Sequence, residues 1–348
     1  MKLASRGLPA TIVHLFLSDP DFEKPLVEEL RPAVTQVVPD LGLMAEVDLA
    51  ALRCAAFARQ VLPDVHAVSA ASINAWADTI IDAVAGVLPD EQPWRLHLWP
   101  VYGEGRAGMN RCALIRTALM ERMKKRRRHL LRSLEDADSI LTPQTSLVQA
   151  VLTAPDAGWL SVCRAPDAHA LRGLISPFIG GWLPWAEDKN APSRAFAKLV
   201  ESELRLGKQI AAGETVVDLG AAPGSWTYIA LQRGAFVTAL DRSELREDLM
   251  RNPRLRFQTG DAFKFAPPEV VDWLICDVIA APLRSIDLLL EWLRDRRMRN
   301  FVVTIKFQGG DEYGLLRQLK EHAASQCEDF HLKRLCANKN EVCAFGRV

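Results

Sequence analysis

The run Thr215-Val216-Val217-Asp218-Leu219-Gly220-Ala221-Ala222-Pro223-Gly224-Ser225-Trp226-Thr227 has the residue types of a ligand-holding turn. Thr215, Val216 and Val217 are β-branched, as a buried parallel strand requires. Gly220 and Gly224 let the backbone turn sharply and approach a ligand with no Cβ in the way. Pro223 stiffens the turn, and Ser225 is placed to cap a following helix. Asp241 ends the next apolar run, Phe236-Val237-Thr238-Ala239-Leu240, about twenty residues past the glycines, where a carboxylate can hold ribose hydroxyls. The spacing predicts a nucleoside-binding βαβ unit. The bland alternative is a strand, turn and helix that hold no ligand. A dinucleotide site needs G-x-G-x-x-G and a P-loop needs Gly-Lys-Ser/Thr; this turn has neither.

Other positions point to proton handling. Phe301-Val302-Val303-Thr304-Ile305 reads as a core strand ending in Lys306. A lysine there is costly to desolvate unless it has a partner or a task. Trp273-Leu274-Ile275-Cys276 is another buried strand, with Asp277 at its mouth. Gly260-Asp261 follows a third, where Asp261 can accept from an adenine amino group or cap a short helix. Glu341 opens the last strand.

The pattern D-L-G-x-x-P-G at 218–224 resembles motif I of S-adenosylmethionine-dependent methyltransferases, and its Ala-Pro-Gly core resembles the FtsJ-like ribose 2'-O-methyltransferases. Ser193-Arg194-Ala195-Phe196-Ala197-Lys198-Leu199 is similar to the signature that opens FtsJ-like catalytic domains. The resemblance implies a catalytic Lys-Asp-Lys-Glu tetrad at Lys198, Asp277, Lys306 and Glu341. It implies S-adenosyl-L-methionine as cofactor, held by Ser193, Asp218, Gly220, Ala222, Pro223, Gly224, Ser225, Trp226, Asp241, Asp261 and Asp277. Many relatives carry Gly where Ser225 stands. An amine-directed methyltransferase would show (D/N)-P-P-(Y/F) where this chain has Asp277-Val278-Ile279-Ala280. A ribose hydroxyl is a weak acid and must meet the methyl in line while shedding its proton. Lys306 is the candidate general base; as an ammonium it would instead orient and polarise the hydroxyl.

These residues need a sheet to carry them. Strands are predicted at 215–219, 235–240, 254–258, 271–276, 300–306, 331–336 and 341–346, with helices between them. The fold class is α/β: a Rossmann-like methyltransferase domain over 193–348, with a seven-stranded doubly wound sheet and an antiparallel last pair. An α+β region precedes it.

Residues 1–70 predict a small α/β region, with a strand at Thr11–Leu17, a helix from Phe22 to Leu30 and a second strand–helix pattern at 43–62. A helix is expected over 71–90, then a strand at Trp94–Trp99 and a long helix from Asn110 to Leu134. Leu119, Met123, Leu130 and Leu134 share one face of that helix. Arg122, Lys124, Lys125, Arg126, Arg127, Arg128 and Arg132 place seven basic residues in eleven positions. They can grip an RNA backbone or form a solvated surface. Further strands are expected near Leu141–Leu152 and at Leu160–Cys163. This element order over 71–165 resembles a THUMP-like RNA-binding module. Residues 166–192, rich in Pro, Gly and Trp, read as a linker. Its Trp182 and Trp185 either pack a junction or stack on bases. A large N-terminal extension with a THUMP-like module resembles the RlmM-type enzymes, which methylate a cytidine ribose of large-subunit ribosomal RNA. RNA, and ribosomal RNA above other RNAs, is therefore the expected partner.

The chain has 348 residues, enough for two or three domains, and 43 basic residues balance 43 acidic ones. Any RNA-binding charge must be local. Seven scattered cysteines without a C-x-x-C pair predict reduced thiols, a cytoplasmic setting and no metal site. No signal peptide or membrane-spanning run is read, so no membrane partner is expected. The resemblance favours a monomer. Two rivals stand: methylation of a transfer RNA or a cap, and a non-catalytic RNA-binding or assembly factor on the same scaffold.

Overall fold

The computed structural model describes residues 12–348 except 53, 90, 104–105, 137–141, 184–187 and 324. Thr11, Leu141, Pro184 and Trp185 therefore lie outside the described residues. Two compact units divide the chain. One holds the described residues through Leu52, then Gln60–Leu171 and Phe178–Gly181. The other holds the residues up to Arg59 from position 54, then Arg172–Pro177 and Trp182–Val348.

The second unit is built on a seven-stranded sheet. Its strands are β1 (Thr215–Leu219), β2 (Phe236–Asp241), β3 (Leu255–Thr259), β4 (Val271–Cys276), β5 (Met298–Lys306), β6 (Asp329–Lys333) and β7 (Glu341–Arg347). They lie in the order β3-β2-β1-β4-β5-β7-β6. β1 pairs in parallel with β2 on one side and β4 on the other, so Val216 sits between Val237 and Trp273. The strand order reverses there, which opens a crevice at the carboxyl edge of the sheet. β7 runs antiparallel to both β5 and β6. That direction matters: the start of β7 and the end of β5 fall on the same edge, with Glu341 opposite Lys306.

Helices α1 (Phe196–Leu206), α2 (Ser225–Gln232), α3 (Pro282–Arg294) and α4 (Leu315–Ala323) belong to this unit. Pro282 starts α3 with the fixed φ that a first helical turn accepts. Ile286, Leu289 and Leu293 then recur at helical spacing and are buried. Trp273, Trp292, Phe301, Val302 and Phe345 are fully or almost fully buried and fill the core. The predicted last strand pair is antiparallel, but β6 ends at Lys333 instead of running to 336. The Asn338 side chain accepts from the Leu335 N–H at 2.7 Å and so turns the chain away from the ladder.

The first unit carries two four-stranded sheets. One orders Val34–Val38, Gly42–Ala45, His14–Leu17 and Gln60–Leu62; the exposed edge strand Val34–Val38 had no apolar alternation to announce it. The other orders His66–Ser69, Ala157–Cys163, Ser146–Leu152 and Trp94–Pro100, the last two parallel. Helices Ile73–Val87 and Ala107–Arg126 pack together, and Trp76, Ile80, Ile115, Leu119 and Met123 are buried in one core with Trp94 and Leu96. The long helix expected over Asn110–Leu134 is two helices, broken at Arg127, which has φ −144°. Like charges four apart, such as Lys124 and Arg128, disfavour a continuous helix, whereas cations suit a helix C-terminus. The Trp94 indole N–H donates to the Leu130 carbonyl at 2.9 Å and holds the second piece in place.

Candidate active site

β1 delivers the glycine turn to the crevice. Gly220 has φ +75°, and a Cβ there would stand 2.7 Å from Val278 Cα. Its N–H and that of Ala221 both donate to Leu240 O, which sets the turn against β2. Gly224 has φ +110°, and a Cβ there would strike Leu249 at 2.4 Å. Gly224 is therefore required by packing under the short helix Glu247–Met250, and it does not line the cavity. Gly224 also takes the N-cap position expected of Ser225. Ser225 is the first residue of α2, and its hydroxyl lies 2.7 Å from that of Ser193.

A cavity of about 570 Å³ opens over this turn. Ser193, Asp218, Gly220, Ala222, Pro223, Ser225, Trp226, Asp241, Asp261, Asp277 and Lys306 all line it. Asp241 Oδ2 accepts from the Ala222 N–H at 3.0 Å, so this carboxylate is fixed by the turn it faces. Asp261 Oδ1 accepts from the Phe263 N–H at 3.0 Å and caps the 3-10 turn Ala262–Lys264. It thus has the cap role and a place in the wall together. Trp226 is buried, and its indole N–H donates to Ala195 O at 2.8 Å. Asp218 is 1% exposed, and its carboxylate accepts the Thr227 hydroxyl at 2.6 Å. Burial pushes the Asp218 carboxyl up to about 7, with the charges of Asp277 and Asp241 adding and the Thr227 hydrogen bond opposing.

The four polar residues expected to act together do meet. Lys198 Nζ lies 2.8 Å from Asp277 Oδ1 and 3.1 Å from Glu341 Oε1. Lys306 Nζ lies 3.0 Å from Asp277 Oδ1 and donates to the Asp277 carbonyl at 2.7 Å. Topology explains the meeting: Asp277 follows β4, Lys306 ends β5, Glu341 starts β7, and α1 lays Lys198 across them. The two lysines differ. The Lys198 side chain is 6% exposed and faces two carboxylates; that of Lys306 is 23% exposed and faces the cavity. Burial works to lower the Lys198 pKa, but Asp277 and Glu341 outweigh it and raise it above the ordinary lysine value. Lys198 is therefore a fixed cation behind the wall, and Lys306 is the lysine that lines the cavity.

Sequence reasoning missed Thr227, the partner of Asp218, and Asn338, whose Nδ2 donates to Glu341 Oε1 at 3.1 Å. It also missed Arg284, whose guanidinium lies 3.9 Å from the Phe263 ring centroid on the cavity wall. No local pattern marks these residues; only the fold brings them in. Of the basic residues around 122–132, Arg122 pairs with Asp78 at 3.1 Å, while Lys124, Lys125, Arg126, Arg127, Arg128 and Arg132 are exposed. They lie in the first unit and do not line the cavity. Trp182 is 53% exposed with the Arg59 guanidinium 4.3 Å from its ring centroid.

The mixed sheet, the glycine turn at its switch point and the carboxylate that ends β2 define an α/β Rossmann-like methyltransferase fold. Residues 191–325 match the FtsJ-like methyltransferase family model. Curated relatives named ribosomal RNA large subunit methyltransferase M are similar to this chain. The protein from Halorhodospira halophila is 35% identical over 162 residues, covering 46% of this chain and 48% of that protein. The protein from Thauera aminoaromatica is 29% identical over 229 residues, covering 62% and 61%. The protein from an Azoarcus species is 34% identical over 176 residues, covering 49% and 46%. The matched regions thus span about half the length of these relatives. Among the described residues no helix is long and apolar enough to cross a membrane.

S-adenosylmethionine is the cofactor of such a domain. The cavity volume suits a nucleoside-sized ligand. Asp241 and Asp261 both line the cavity. Gly220→Ala tests the turn. The added methyl meets backbone, and the left-handed φ costs an L-residue about 1–2 kcal/mol. Isothermal titration is expected to show S-adenosylmethionine affinity falling at least ~10-fold, each 1.4 kcal/mol being about a factor of ten. Unchanged affinity would mean that the turn does not shape the cofactor site.

Proposed function

We propose that this protein transfers the methyl group of S-adenosylmethionine to a ribose 2'-hydroxyl of RNA. A cytidine of large-subunit ribosomal RNA is the substrate we favour, on the names of the relatives and on the order of elements before the catalytic unit. The observation that carries the reaction class is the arrangement of Lys306 and Asp277 on the cavity wall, backed by Lys198 and Glu341.

When bound, the cofactor supplies an electrophilic methyl on a sulfonium. Asp277 holds Lys306 by its carboxylate and by its carbonyl, which points the amine into the cavity. Lys306 takes the proton that the 2'-hydroxyl sheds as its oxygen bonds to the methyl carbon, and the sulfur keeps the electron pair of the broken bond. Lys198, tied to Asp277 and Glu341, keeps those carboxylates in place. The products are a 2'-O-methylated ribose, S-adenosylhomocysteine and a protonated Lys306. Absence of the proline-rigid turn and stacking aromatic after Asp277 favours a hydroxyl over an exocyclic amine. The deciding experiment is methyl transfer from labelled S-adenosylmethionine to RNA lacking the modification, followed by ribose-methylation mapping. One new 2'-O-methylcytidine in large-subunit RNA is expected. A mark on transfer RNA would keep the chemistry and overturn the substrate. No transfer despite cofactor binding would favour an assembly factor.

Residues 71–165 serve, on this reading, as a THUMP-like RNA-binding module, with the exposed cluster around Arg126 on the RNA backbone. Replacing Arg126, Arg127 and Arg128 with Ala is expected to weaken RNA binding at moderate salt. The slope of log affinity against log salt should become shallower by roughly 2 to 3, since each phosphate contact contributes about 0.7 to 0.9. An unchanged slope would place the RNA elsewhere.

A further inference from the structure

The last ladder pair between β5 and β7 is Lys306 with Glu341. Strand ends fray, because their final hydrogen bonds lack neighbours on one side. Here the pair that the proposed chemistry needs most tightly placed stands at such an end. The chain beyond it is closed by side chains. The Phe307 N–H donates to Asn340 O at 2.9 Å, and Asn340 Nδ2 donates back to Phe307 O at 3.0 Å. The Tyr313 hydroxyl then donates to Asn340 Oδ1 at 2.6 Å. Phe307 and Asn340 are the direct neighbours of Lys306 and Glu341.

Tyr313 is itself held. It lies in the 3-10 turn Gly310–Gly314, which follows β5, and Glu312 closes that loop by accepting from the Gln308 N–H at 2.7 Å. Its ring meets Phe307 edge-on at 5.0 Å between centroids and Phe57 at 4.8 Å. Phe57 is buried and comes from a distant stretch of the chain that the catalytic unit grips by its backbone. Lys320 Nζ donates to Cys54 O at 3.2 Å, Lys333 Nζ to Ala55 O at 3.2 Å, and the Arg334 N–H to Ala56 O at 2.8 Å.

We propose that Tyr313 is a positioning residue: through Asn340 it locks the ends of β5 and β7, and so fixes Lys306 against Glu341. The inference rests on the reading of Lys306 as the group that handles the hydroxyl proton. Tyr313→Phe keeps the ring between Phe57 and Phe307 and removes only the hydroxyl. Small misplacement of a reacting group is enough to slow chemistry strongly. In the full chain, Tyr313→Phe is expected to lower kcat for methyl transfer about tenfold. KM for S-adenosylmethionine should stay within about twofold and the unfolding midpoint should not move. Asn340→Ala should lower kcat similarly, and the double variant should lose no more than the worse single one, because the two act through one contact. A wild-type kcat in Tyr313→Phe overturns the proposal. So does a fall in kcat that tracks a fall in the unfolding midpoint, or losses that multiply in the double variant. Lys306→Ala run alongside separates the two readings. An inactive Lys306→Ala with a wild-type Tyr313→Phe sinks the clamp alone, whereas wild-type rates in both sink the catalytic reading beneath it.

Discussion

Lys306→Ala is expected to lower the single-turnover rate of methyl transfer about 10²–10⁴-fold, the range for loss of a positioned acid–base group. Cofactor affinity and unfolding midpoint should change little. The reason is local. Lys306 faces the cavity, and its removal leaves Asp277 still paired with Lys198 at 2.8 Å, so no carboxylate is stranded. Lys306→Arg sharpens the test. A guanidinium keeps the charge and can bind Asp277, but it does not release a proton in proteins. A base role predicts that Arg is nearly as slow as Ala. A purely electrostatic role predicts that Arg restores much of the rate. Lys198→Ala should behave differently. It removes the cation shared by Asp277 and Glu341, so loss of activity should come with loss of stability. Breaking a buried pair by removing one partner strands charge. Rates and unfolding midpoints measured on the three variants separate the two lysines.

The same pair shows what a sequence can and cannot reveal. β1, β2, β4 and β5 were legible because each is a short run rich in β-branched or aromatic residues. Asp277, Lys306 and Glu341 were legible as strand-end residues, and the glycine turn as a ligand loop. Their meeting was not readable from periodicity. It depends on β7 running antiparallel into β5 so that Glu341 falls opposite Lys306. Ser225 illustrates the opposite failure. Its type suits an N-cap, but Gly224 takes that position and Ser225 bonds Ser193 across 32 residues. The contribution of Cys54–Arg59 to the catalytic unit was equally hidden, because nothing in those residues names Lys333 or Tyr313 as partners. Pattern reports which face of an element is apolar, not which distant element will cover it.

Asp218 offers a prediction of comparable size in stability instead of rate. Its carboxyl is pushed from an ordinary value of 3.8 up to about 7, chiefly by burial. The sign follows from proton counting. Between those values the folded chain holds a proton on Asp218 that the unfolded chain has released, so stability falls as pH rises. The contribution is complete below about pH 4, declines through the interval and is gone above pH 7. At about 1.4 kcal/mol per pH unit, the full span is on the order of 4 kcal/mol. Asp218→Asn does not titrate, and its amide oxygen can still accept from the Thr227 hydroxyl. Urea unfolding at pH 5 and at pH 8 is therefore expected to show wild type losing roughly 2–3 kcal/mol relative to the variant. Groups such as Asp329, held low by His331 and Arg172 against the effect of burial, titrate in both proteins and cancel in the comparison. A difference between the two proteins that stays constant with pH would show Asp218 ionised throughout, with the Thr227 bond sufficient to hold its charge at the base of the cofactor cavity.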